Sequence, residues 1–81
     1  MKADAERPYI VFGFETTHDA LTAEAAFAGA GLPLTVMPTP KILGALCGIA
    51  LRVAEDDAPV AERILAEAGI ESSGSVRILD R

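Results

Sequence analysis

Residues 9–14, YIVFGF, form a β-branched and aromatic run bounded by Pro8 and by the polar stretch that follows. That is the pattern of a strand. Alternation sends Ile10, Phe12 and Phe14 to one side and Tyr9, Val11 and Gly13 to the other. Both sides are largely apolar, so this strand is expected at the centre of a sheet. The period then changes. In ETTHDALTAEAAFAGAG, Ala20, Ala23, Phe27 and Ala30 recur at helical spacing. Thr16 or Thr17 can cap the helix, Asp19 suits its first turn, and Gly31 offers a left-handed stop. LPLTVM (32–37) predicts a second strand, stopped by Pro38, Thr39 and Pro40. Residues 39–48 fit two descriptions. One is a two-turn helix over PKILGALC, capped by Thr39 and stopped by Gly48; the other is a loop with a single turn. Gly44 inside the helix would cost about 1 kcal/mol relative to alanine. GIALRV (48–53) predicts a third strand. AEDDAPVAERILAEAGI predicts a second helix, with Glu55, Asp56 and Asp57 at its positive end. Pro59 falls in its first turn, Val60, Ile64 and Ala68 on one side, and Gly69 at its end. After ESSG, SVRIL (75–79) predicts the last strand.

The two halves are alike. EAAFAGAGL (24–32) aligns with ERILAEAGI (62–70), and each half is strand, helix, strand. Self-similarity at a long offset marks a duplicated unit. Joined in tandem, two such units give βαββαβ, the ferredoxin-like split βαβ sandwich, an α+β fold. It has one four-stranded antiparallel sheet with two helices on one face. The other face is left open. With Phe12 and Phe14 under the helices, the open face is expected to present Tyr9, Val11, Gly13, Ala50 and Arg52. A flat, moderately apolar patch of this kind favours association, as a homodimer or by docking on a larger protein.

At 81 residues there is room for one domain, expected over 8–81 after a flexible segment 1–7. A chain of this size buries only roughly 60% of its unfolded surface, so association would add needed stability. With 51% hydrophobic residues and four aromatics, the core must be thin and closely packed. The net charge of −5 and seven scattered basic residues argue against a nucleic-acid partner, which needs clustered Lys and Arg. No apolar run approaches the ~20 residues that span a bilayer. The start lacks the apolar core of a signal peptide, and a single unpaired cysteine suits a reducing compartment. A cytoplasmic location is expected.

That cysteine, Cys47, lies in PTPKILGALCGIALR (38–52). The THDAL helix start, a helix closing on AGAGLPL, the PTP at 38–40, and CGIALR from Cys47 together resemble one family. It is the small single-cysteine domain family described as selenium/sulfur carrier-like. The likeness covers residues 9 to about 79, and its most specific part is the set PTP, Cys47, Gly48 and Arg52. The resemblance implies a carrier that holds sulfur or selenium on Cys47 as a persulfide or selenosulfide. Donor and acceptor enzymes would be its partners, and it would be a carrier more than a turnover enzyme.

Such a thiol must be reachable and benefits from nearby cations. Lys41 and Arg52 are the local candidates, with His18 from the first loop, and Gly48 allows close approach of a partner. The competing reading is that Cys47 is a small buried hydrophobe, as unpaired cysteines often are. The protein would then be a non-catalytic interaction or assembly module working through its open sheet face. One Cys and one His make no metal cluster, and no cofactor motif is present. Ser72, Ser73 and Ser75 have no base partner for nucleophilic chemistry. Gly29 and Gly31 fall at a helix end, where no phosphate cradle forms.

Overall fold

A computed structural model of the chain describes residues 7–44 and 46–80. Strand β1 (Arg7–Gly13) leads to helix α1 (Thr17–Gly29) and strand β2 (Thr35–Pro38). A single 3-10 turn, Lys41–Leu43, precedes strand β3 (Ile49–Ala54). A second 3-10 turn, Glu55–Asp57, runs into helix α2 (Ala58–Ala68), and strand β4 (Gly74–Asp80) follows. The strands form one antiparallel sheet in the order β2-β3-β1-β4. This is the α+β βαββαβ architecture that the repeat implies, with β1 central.

The core lies between sheet and helices. Phe12, Leu51 and Val53 from the sheet and Phe14 just beyond β1 pack with Ala20, Ala23 and Phe27 of α1 and Ala61 and Leu65 of α2. The rings of Phe12 and Phe27 meet edge to face, centroids 6.4 Å apart, the arrangement their quadrupoles favour. Alanines on the buried faces let the helix backbones sit near the sheet, as the shortage of aromatics requires.

Helix α1 is capped by Thr16, whose Oγ1 accepts the N–H of Asp19 at 3.0 Å. Its C-terminus closes on Gly31 (φ 75°), with Leu32 N–H donating to Phe27 C=O at 2.9 Å and Gly31 N–H to Ala28 C=O at 3.0 Å. Helix α2 ends in the same way. Gly69 (φ 73°) takes the left-handed conformation, and Ile70 N–H donates to Leu65 C=O at 2.9 Å. The aligned segments 24–32 and 62–70 thus share a stop motif in which a C-terminal carbonyl and a following apolar residue are both satisfied.

Some expectations change. The buried side of α2 is Ala58, Ala61 and Leu65, while Val60 and Ala68 are exposed and Ile64 is half-buried. Two alanines and Leu65 face the core, and the larger Val60 points away from it. Ala30 caps α1 and is exposed. Glu55, Asp56 and Asp57 make a 3-10 turn before α2, and Glu55 Oε2 accepts from Arg77 Nε of β4 at 2.6 Å. Residues 32–34 lie outside β2, which starts at Thr35. The expected flexible segment 1–7 lies outside the described residues except for Arg7, which pairs with Asp80 in the β1–β4 ladder. Among the described residues, no helix is long and apolar enough to cross a membrane.

Candidate functional site

The segment between β2 and β3 forms a loop with one turn, the second of its two sequence descriptions. Its base is closed by Thr39 N–H donating to Gly48 C=O at 3.1 Å. Its turn is held by Leu43 N–H to Pro40 C=O at 3.0 Å and Gly44 N–H to Lys41 C=O at 2.9 Å. Pro40 precedes the turn with no side-chain cap, so Thr39 is not a helix cap. Because the turn ends at Gly44, Cys47 does not sit at a helix C-terminus.

Two glycines with positive φ bracket the cysteine: Gly44 (φ 87°, ψ −169°) and Gly48 (φ 96°). The first conformation is open to glycine almost alone. Together they turn the chain sharply enough to bring Cys47 back to the end of the sheet, where its N–H donates to Phe14 C=O at 3.1 Å. This bond places Cys47 beside the connection from β1 to the Thr16-capped start of α1. The side chain is half-buried and packs against the helix-side core. Its thiol donates weakly to Ile49 C=O at 3.6 Å.

The same loop reaches over the opposite face. Leu43 and Leu46 lie against Gly13 and Gly74, which face each other across β1 and β4. A Cβ on Gly13 would sit 2.6 Å from Leu46 Cδ1 and 3.1 Å from Leu43 Cδ1. The open face is therefore partly roofed. Alternation assigned Tyr9, Val11, Gly13, Ala50 and Arg52 to it correctly, as the pairings of Val11 with Arg52 and Gly13 with Ala50 show. It is far less exposed than alternation alone implies: Val11 and Ala50 have no accessible surface, and Gly13 is buried. Local pattern does not reveal the place of Leu43 and Leu46 on this face. A glycine inside an apolar central strand was the available signal, since it marks a close approach of other atoms.

The three candidate cations are dispersed. Arg52 projects from the open face with its guanidinium carbon 4.1 Å from the Tyr9 ring centroid, a cation–π contact; the sheet stands between it and the core-side Cys47. Lys41 opens the 3-10 turn and is exposed. His18 is exposed in the first turn of α1, where its C=O accepts from Thr22 Oγ1 at 2.8 Å. Neither Lys41 nor His18 is hydrogen-bonded to the sulfur among the described residues. Two grooves of about 450 Å³ open beside the Ile70–Ser73 connection, lined by residues such as Glu62, Leu65, Glu71 and Ser72, and neither includes Cys47. Among the described residues no group of three His, Cys, Asp or Glu could hold a metal ion.

A family model described as "Putative Se/S carrier protein-like" matches residues 9–77. No curated protein matches the chain. Among solved structures the chain is similar to a functionally unknown protein from Pediococcus pentosaceus ATCC 25745. Identity is 14%, the match covers 95% of this chain and 91% of that one, and the TM-score is 0.50. A likeness at that identity concerns the fold alone.

Proposed function

The chain belongs to the Se/S carrier-like family, and from that membership we propose that it carries sulfur or selenium on Cys47. The observation that supports this most is the position of the thiol. Cys47 is half-buried in a glycine-bracketed loop at the end of the sheet and rests on the helix-side core without being sealed within it. A fully solvated persulfide would exchange with any thiol. One set in a fold is restricted to partners that can approach the loop, and Gly48 puts no side chain in their way.

Loading is a thiol–persulfide exchange. The Cys47 thiolate attacks the outer, sulfane sulfur of a persulfide on a donor protein. A new S–S bond forms to Cys47, the donor's S–S bond breaks, and the donor cysteine leaves as a thiolate. No electrons are gained or lost overall, and the reverse step on an acceptor thiolate unloads the carrier. Selenium follows the same course as a selenosulfide. Arg52 stands on the open face over the Tyr9 ring, and one chain delivers one atom per encounter.

The test is anaerobic incubation with a persulfide-loaded cysteine desulfurase, followed by intact-mass analysis and peptide mapping. The expected result is a gain of one sulfur atom on the peptide containing Cys47. Dithiothreitol should reverse it, and Cys47→Ser should abolish it. If the chain stays unmodified and Cys47 alkylates as slowly as a sealed thiol, the carrier assignment is wrong and the cysteine is packing.

A further inference from the structure

The sheet has two edges, and they are built differently. β2 has four residues and ends on Pro38, with Pro33 before it and Pro40 after it. Short, proline-blunted edges resist pairing because proline offers no N–H. β4 runs seven residues, Gly74–Asp80, contains no proline, and is paired along its whole inner side with β1. It ends the sheet. Its outward N–H and C=O groups form a row that a further strand could use.

We propose that β4 pairs with β4 of a second copy of this chain, antiparallel about a two-fold axis at Arg77, to give a dimer with one continuous eight-stranded sheet. Among antiparallel registers, this is the one that pairs all seven residues of both strands. Gly74 then faces Asp80, Ser75 faces Leu79, Val76 faces Ile78, and Arg77 faces its own copy. The two Val76–Ile78 pairs fall on the open face, where β-branched cross-strand neighbours stabilise a ladder. The axis is perpendicular to the sheet, so the helices of both copies lie on the same side.

Like charges directly opposite each other normally weaken a ladder. Here each Arg77 is held by Glu55 of its own chain at 2.6 Å, so the strands meet as two compensated ion pairs. A second copy supplies both the Val76–Ile78 match and the facing pair of compensated Arg77–Glu55 charges.

The experiment uses the full chain. Wild-type protein is expected to sediment at twice the chain mass as concentration rises. In a Cys47→Ser background, Arg77→Cys should form an interchain disulfide with diamide. Opposed residues in an antiparallel ladder have Cα atoms about 4.5–5.5 Å apart, within the roughly 4.4–6.8 Å a disulfide spans. Thr35→Cys, on the blunted edge strand β2, should not cross-link. Glu55→Gln leaves the two arginines uncompensated and should weaken the dimer roughly two- to fivefold. A chain that remains monomeric into the millimolar range overturns the proposal. So does a dimer that cross-links through Thr35→Cys, or through Met37→Cys on the open face, and not through Arg77→Cys. No sulfur transfer enters these measurements, so they stand apart from the carrier assignment.

Discussion

An added Cβ at Gly13 would stand 2.6 Å from Leu46 Cδ1 and 3.1 Å from Leu43 Cδ1, so this one residue sets how closely the cysteine loop lies on the sheet. The tips of two leucines can turn aside for a methyl group but not for a branched side chain. Gly13→Val should therefore lower unfolding free energy in urea by about 1–3 kcal/mol through overpacking, and it should speed alkylation of Cys47. Faster alkylation would tie the thiol's accessibility to the seating of the leucines; an unchanged rate would separate the two. Gly44→Ala forces a side chain into a glycine-only conformation and should cost about 1–3 kcal/mol, read as a lower urea midpoint. The sequence marked Cys47 and Gly48 but not their surroundings. The partners of this loop, Phe14, Gly13 and Gly74, lie far away in the chain, and local pattern holds no record of such contacts. Arg52 illustrates the point: five residues from the cysteine, it is separated from it by the sheet.

The two helices stop alike and start differently. Thr16→Ala removes the acceptor for Asp19 N–H and should cost about 0.5–2 kcal/mol. Near the other end of α1, Gly29 is helical with open space around its Cβ position, whereas Gly69 closes α2 with positive φ. Alanine should stabilise at Gly29 by about 0.4–1 kcal/mol and destabilise at Gly69 by more than that. Thermal or urea unfolding of the pair checks the contrast, and equal effects would contradict the assignment of the two ends. Capping residues and glycine stops were legible in the sequence because their chemistry is local. The buried side of α2 was not. Large aliphatics drew attention to Val60 and Ile64, whereas close packing selects Ala58, Ala61 and Leu65. Periodicity identifies a helix here, but which stripe turns inward is decided by contacts with the sheet and with α1.

At the scale of the molecule, the duplication made the topology legible: two similar units in tandem point to βαββαβ, and the observed strand order agrees. What duplication could not reveal is the connection between the units, which carries the cysteine and has no counterpart elsewhere in the chain. The strand order has a further effect. β1 lies between β3 and β4, and β2 pairs with β3, so every ladder joins one unit to the other. Fragments 1–44 and 45–81 should each lack cooperative unfolding by circular dichroism, and mixing them should restore part of it. Cooperative melting of either fragment alone would show that a half can stand by itself. During translation, the leading half leaves the ribosome with strands that have no neighbour to bind and must wait for β3 before any hydrogen-bonded ladder exists. Its apolar segments are meanwhile open to chaperones and to chance aggregation, and β1 gains its second neighbour only once β4 has emerged as well.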